Sequence, residues 1–508
     1  MNGGGLYLKI CRVAEGAGVK LGLPTLVPIL LFSALQYAQT PAPRTQADVP
    51  DLHEGITLYQ QKEYSKACDV FLRVTQLHPR SAPAYFYLGI SQVELGDLPR
   101  AEISLRRALE LDPNSTSTVY NLGVVLLDEK KANEAAAFLE RAYRKGPASP
   151  EGAANLVRCY LDLGKQNQAE ILAEEAGRRY ARLPAYHLAV AKLFAAHGLA
   201  QQARAFLETA NRLAPASPEV VIPLAEVDLQ LKDSAHALQV LESISAGEQG
   251  DAYFHLLLGQ AYFLAGQKET ALAQMNQAVQ IDSRNPTYSL TLARYYQKYG
   301  DQRKAVEVLE KAAQLHQTLA EIPYSLAVSY FIADDYDTAA GYLDRAIELQ
   351  PNFDRAIFLL GCVRAAQGKW SEAERLLGQA IRMNPRNPFY SCTLGMVLVM
   401  ENRLDDAAPY LGKALSLKPD YALAHYQLGR VLNRQGEPEK ARQELEQAVA
   451  VQPNLIEAWW QLSLTYQKLG MKAQAAQAMT TFKQYRAVEY SERRELMQQV
   501  RDAITSGP

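Results

Sequence analysis

Side chains suited to covalent chemistry are few in this chain, and they are not spaced for it. The eight histidines, His187, His197 and His425 among them, are scattered without the intervals that metal ligation uses. Cys68, Cys159, Cys362 and Cys392 show none of the paired spacings of zinc or redox sites, and whether Cys362 and Cys392 pair with each other stays open. There is no G-x-x-x-x-G-K-[ST], no G-x-S-x-G and no H-E-x-x-H, hence no phosphate cradle, nucleophile elbow or zinc helix. No enzymatic activity, cofactor or metal is expected. What remains is non-covalent chemistry. Arg294 and Lys298 stand four residues apart, as do Arg430 and Arg434, with Lys468 further on. Such cations could hold the carboxylates of a partner, or lie on a solvated face balanced by nearby glutamates. Between them runs an apolar set: Tyr324, Val328, Phe331, Ile332, Phe358, Phe389, Met396, Val399 and Met400.

These residues sit in a strict repeat. Alanine recurs every 34 residues, thirteen times, at Ala67, Ala101, Ala135, Ala169, Ala203, Ala237, Ala271, Ala305, Ala339, Ala373, Ala407, Ala441 and Ala475. A period of 34 marks a stack of helix pairs, in which no pair buries its apolar face alone. If the alanine is position 20, the first repeat starts at Asp48. Position 8 is then small, as in Gly89, Gly259, Gly429 and Ala293, with Val157 the one larger residue. Glycine stands at position 15 in eight repeats, and proline at position 32 in another set of eight. Glycine accepts the left-handed conformation that ends a helix, and proline stops the next one. The spacing therefore predicts helix A over about positions 1–14 and helix B over about 17–30. The small residues at 8 and 20 let the two backbones approach closely.

The second repeat has Tyr85, Leu88-Gly89, Ala101, Leu105 and Pro113, and the thirteenth keeps Trp459, Leu462, Tyr466 and Ala475. This resembles the tetratricopeptide repeat family, whose pattern is W-x2-L-G-x2-Y, then A-x3-F, then P. The resemblance implies an all-α fold: a right-handed superhelical α-solenoid of thirteen helix pairs over residues 48–487. A further amphipathic helix and tail at 488–508 would cap it. It also implies that A-helix positions 2, 5, 9, 12 and 13 face a concave groove, and these positions do fall on one helical stripe. On that stripe lie the apolar residues named above, with Arg430 and Arg434 beyond them. The apolar stretch suits an amphipathic helix or extended peptide, or else ordinary packing between neighbouring helices. Earlier repeats are mixed in sign, with Arg158 and Lys192 near Asp128, Asp162 and Glu226. The family's carboxylate clamp (Lys at position 5, Asn at 9) is absent, and its asparagine ladder at position 6 survives only at Asn121 and Asn155.

The expected function is thus a protein–protein interaction scaffold that takes partner peptides or proteins in its groove. The alternative is a structural component of a cell-envelope export or assembly machine handling polysaccharide or pilus parts. Of the 508 residues, 53 are basic and 55 acidic, for a formal charge of −2, so no nucleic-acid partner is expected. Residues 1–38 read as a signal peptide or anchor: Lys9, Arg12 and Lys20 precede an uncharged apolar run over 21–35. Export to the periplasm or outside the cell follows, or membrane anchoring through 21–35 if the segment is not cleaved. Residues 39–47 read as a Pro-containing linker.

Overall fold

A computed structural model describes residues 50–145, 149–244 and 251–487. The expected signal or anchor (1–38), linker (39–47) and capping helix (488–508) lie outside the described residues. The described residues form two compact units, divided after Ile281.

The N-terminal unit contains seven helix pairs: α1 (Pro50–Gln60) with α2 (Tyr64–Leu77), α3 (Ala82–Glu94) with α4 (Leu98–Leu111), α5 (Thr116–Asp128) with α6 (Ala132–Lys145), α7 (Pro150–Asp162) with α8 (Gln166–Arg179), α9 (Pro184–Ala196) with α10 (Ala200–Leu213), α11 (Pro218–Gln230) with α12 (Ser234–Glu242), and α13 (Ala252–Leu264) with α14 (Lys268–Ile281). The C-terminal unit contains six: α15 (Pro286–Lys298) with α16 (Gln302–Leu315), α17 (Glu321–Ile332) with α18 (Tyr336–Leu349), α19 (Asp354–Ala366) with α20 (Trp370–Met383), α21 (Pro388–Met400) with α22 (Leu404–Leu417), α23 (Ala422–Gln435) with α24 (Pro438–Val451), and α25 (Ile456–Lys468) with α26 (472–487). The expected thirteen pairs are present, as an all-α solenoid. Odd helices are the A helices and even ones the B helices. Within each unit an A helix packs on its own B helix and on the B helix before it.

The turn between A and B is built the same way in every pair. The residue at position 15 has positive φ whether or not it is glycine: Gly96 at 78° and Gly436 at 82°, but also Lys62 at 63°, Lys130 at 62°, Lys232 at 62°, Asp334 at 61° and Asn402 at 64°. The N–H of the next residue then reaches back to the carbonyl five residues earlier, as in Asp97 to Gln92 (2.9 Å) and Arg403 to Leu398 (2.9 Å). This closes the orphan carbonyls of helix A. Where the residue after the turn is aspartate it also caps helix B, the Asp97 and Asp301 carboxylates accepting from the N–H groups of Arg100 and Lys304.

The core of each pair is a contact between positions 8, 20 and 24. The position-20 alanines are fully buried, except Ala475 at 4% exposure. A Cβ on Gly429 would come 2.6 Å from Leu445 Cγ, and one on Gly361 2.9 Å from Leu377 Cγ. In these glycine pairs helix A lies so close to helix B that a methyl would press on the position-24 leucine, whereas the pairs with Ala191, Ala225, Ala293 and Ala327 at position 8 hold a methyl opposite leucine. The seventh helix answers the exception: Val157 is the large residue at position 8, and position 24 of that repeat shrinks to Ala173. Both are completely buried, so the combined volume is held nearly constant.

Candidate binding groove

In the C-terminal unit the A helices follow one another, α21, α23 and α25 touching in turn. Arg430 and Arg434 occupy positions 9 and 13 of α23, one turn apart. Leu464 and Lys468 occupy the same positions on α25, and Gln461 lies a turn before them. With Asn433 these residues line an open concavity of about 520 Å3. Arg430 Nη1 donates to Gln427 Oε1 at 2.9 Å, and its guanidinium lies 5.6 Å from the Tyr426 ring centre. Arg434 donates to the side-chain carbonyl of Asn402. Lys468 Nζ donates to the Asn433 backbone carbonyl at 3.2 Å, and Asn433 Nδ2 donates to Thr465 Oγ1 at 2.7 Å. Among the described residues, neither arginine is paired with a carboxylate. The site thus presents positive charge and amide groups, its two arginines held by neutral partners, and is suited to binding anions.

The apolar stretch is brought together, but much of it faces other helices. Phe331, Phe358, Met396 and Val399 are buried. Phe358 stacks on Tyr390 of the next A helix with ring centres 4.4 Å apart, so its area is spent between helices. Tyr324, Val328, Ile332 and Phe389 are half-buried, and Met400 is exposed at 37%. Tyr324 carries the Arg355 guanidinium 5.4 Å from its ring centre, and burial raises its hydroxyl pKa. Phe389 meets Tyr421 edge-on, and Lys418 Nζ lies over both rings. Sequence reasoning did not single out Arg355, Lys418, Asn433, Gln461 or Leu464. The 34-residue offset was the available signal for the last two, since it aligns Gln461 with Gln427 and Leu464 with Arg430.

Arg294, at position 9 of α15, is half-buried. Its Nη2 reaches Thr291 Oγ1 of its own helix at 3.4 Å, and burial pulls its pKa below the usual arginine value. The same stripe in the N-terminal unit is internally compensated. Arg158 Nη1 meets Asp128 Oδ1 at 2.7 Å, and its Nε lies 3.9 Å from Asp162. His197 Nε2 is 2.9 Å from the other Asp162 oxygen. Tyr253 donates to Glu226 at 2.5 Å. Burial raises the Glu226 pKa against the opposing pull of that bond and of Lys192.

Cys68, Cys159, Cys362 and Cys392 are not joined in disulfides, and burial pushes the Cys392 thiol up to about 12. Among the described residues no cluster of His, Cys, Asp and Glu is arranged to hold a metal ion, and no helix is long and apolar enough to cross a membrane.

Sequence models of the tetratricopeptide repeat match residues 52–116 and 88–150, and 126–193 and 194–261. The model of the cilia and flagella-associated protein 70 C-terminal domain matches residues 228–452. No curated protein matches the chain. Solved structures similar to it include a chain of the APC/C hetero-tetramer Cut9-Hcn1, with 16% identity and a TM-score of 0.41 over 86% of this chain and 98% of that one. Yeast Tom70 has 17% identity and a TM-score of 0.42 over 94% and 100%. MamA has 22% identity and a TM-score of 0.31 over 33% and 97%. With a left-handed turn at position 15 in every pair, a buried alanine at position 20 in phase thirteen times, and the repeat-model matches over residues 52–452, the protein belongs to the tetratricopeptide repeat family.

Proposed function

We propose that the chain is a non-catalytic scaffold that holds segments of partner proteins against the A-helix face of its C-terminal unit. The observation that carries this reading is the open concavity lined by Arg430, Arg434, Lys468, Asn433, Gln461 and Leu464. Its two arginines have neutral partners only, and the exposed Met400 lies on the preceding A helix. Cationic and amide groups next to accessible apolar surface are what a peptide's carboxylates and side chains need for recognition. A photoreactive residue at Met400 or Leu464 is expected to cross-link one partner in cells. The same residue at Leu417, exposed on a B helix, is expected to leave that partner unlabelled. Cross-links from Leu417 alone would defeat the proposal.

In the same proposal residues 1–38 are an export signal, and the scaffold works in the periplasm or outside the cell. The support is the order of Lys9, Arg12 and Lys20 before the uncharged run at 21–35. Mass spectrometry of the mature N-terminus should find cleavage near Ala38. An intact N-terminus on soluble cytosolic protein would rule export out.

A further inference from the structure

Charges along the A-helix face are handled differently in the two units. In the N-terminal unit Arg158 is shared between Asp128 and Asp162, and Asp162 also meets His197. In the C-terminal unit Arg294, Arg430 and Arg434 reach only Thr291, Gln427 and Asn402. Arg294 is the most telling. A half-buried guanidinium loses hydration, and a 3.4 Å contact to a hydroxyl replaces little of it. The depressed pKa reports the same deficit. A carboxylate from outside would restore the missing interaction at Arg294, as it would at Arg430 and Arg434. Between these two points the stripe presents Tyr324, Val328, Ile332, Phe389 and Met400, with charge only at Lys298 on the helix of Arg294 and at Glu321 and Arg355 on its position-2 edge, where Arg355 lies over the Tyr324 ring.

We propose that this face takes an internal peptide segment whose apolar middle is flanked on both sides by carboxylates, one side at Arg294 and the other at Arg430 and Arg434. The inference rests on the scaffold reading above and adds the chemistry and length of the ligand. Arg294 and Arg430 are four repeats apart. At about 8–10 Å per helix step, the two anchors are about 32–40 Å apart, the length of about ten to twelve extended residues. A segment with acid at only one end, or with its acids too close together, would satisfy one anchor and leave the other unmet.

The test uses the full chain and fluorescence anisotropy. The probe is a fluorescein-labelled peptide of about twelve residues, with glutamates at both ends of a Leu/Val/Ala middle. Control peptides carry glutamine at one end, at the other, or at both. The acidic-ended probe should bind. Arg294→Gln should weaken it about tenfold, and the pair Arg430→Gln with Arg434→Gln by at least as much. Each variant should become indifferent to glutamine at one end of the probe, and the two variants to opposite ends. Arg294→Glu should regain affinity for a probe with lysines at one end, an outcome that damage to the fold would not produce. Wild-type affinity in Arg294→Gln, or no recovery by Arg294→Glu with lysines at either end, overturns the two-anchor ligand. If glutamine-ended probes bind as well as acidic ones and Val328→Glu abolishes both, the inference fails while the scaffold reading stands. If no probe binds, the inference fails, and the cross-linking at Met400 and Leu464 decides the scaffold reading separately.

Discussion

Gly429→Ala tests the close approach of the paired helices. The added methyl would sit 2.6 Å from Leu445 Cγ, 3.0 Å from its Cδ2 and 3.3 Å from the Ala441 carbonyl oxygen. Carbon atoms pack best at about 3.5–4.0 Å, so Leu445 must retreat by about 1 Å. Leu445 is fully buried and has nowhere to go without moving helix α24. Overpacking of this kind costs about 1–3 kcal/mol. Alanine in place of glycine inside a helix returns about 1 kcal/mol. The net expectation is a loss of about 1 kcal/mol, with an upper end near 2 kcal/mol. Gly259→Ala is the internal control. Its closest neighbours are the Cε (2.6 Å), Cγ and Sδ atoms of Met275, a flexible side chain that can swing aside, so the helix gain should roughly cancel the cost. A long repeat array does not unfold as one cooperative body, so the assay should be local. Amide hydrogen exchange followed by mass spectrometry should show faster exchange in α23 and α24 for Gly429→Ala, and little change in α13 and α14 for Gly259→Ala. A double-mutant cycle with Leu445→Ala should show that the added methyl is less costly once Leu445 is gone. Unchanged or slower exchange in Gly429→Ala would refute the argument from close approach.

Two further predictions concern backbone and pH. Lys130→Gly should stabilise its pair by about 1 kcal/mol, because a left-handed residue with a Cβ carries a penalty of about that size. Gly96→Ala should lose a similar amount although its Cβ would meet nothing within 4 Å. Local hydrogen exchange in α5–α6 and α3–α4 reads both, and a neutral Gly96→Ala would count against strain at position 15. Burial pushes the His187 pKa below its ordinary value, against the pull of the Ala181 and Tyr180 carbonyls. The unfolded chain then takes up the proton first. The contribution is therefore full above about pH 6.5 and falls away as pH drops below that value toward the folded pKa. At His425 burial acts downward too, but the Glu444 carboxylate and the Pro419 carbonyl outweigh it and the pKa is raised. That contribution is full below about pH 6.5 and is lost as pH rises through the folded pKa. Local exchange at pH 5.5 and 8 should move in opposite directions around the two residues, and His187→Leu and His425→Leu should each abolish the local trend.

The helix boundaries were legible because glycine and proline act on the backbone directly. Helix A ends at position 13 in most pairs, one residue before the expected end, and helix B runs over 17–30. The left-handed turn at Lys62, Lys130, Lys232 and Asp334 was not legible. Those residues do not announce positive φ, and the neighbouring helices impose it. Position 8 was readable as small, but its contact with position 24 needs three dimensions, and only then do Val157 and Ala173 become one exchange of volume. The cluster of Arg430, Arg434 and Lys468 followed from counting along one stripe. Sequence could not show how far Phe331, Phe358, Met396 and Val399 are buried, since an apolar stripe reads alike whether it faces a neighbouring helix or a guest. It also could not separate Arg158, already matched by two aspartates, from Arg294, which is not.

The aspartate–arginine–aspartate ladder of the N-terminal unit has a consequence for the medium around the protein. Its charges are neutralised at contact distance, well inside the screening length of about 8 Å at physiological ionic strength, so added salt should change that face little. The proposed carboxylate guest of the C-terminal arginines would instead be drawn in through solvent, where mobile ions compete. If the C-terminal face holds acidic cargo as proposed above, rising ionic strength should loosen it without disturbing the earlier helices, making ambient electrolyte a release signal for that unit.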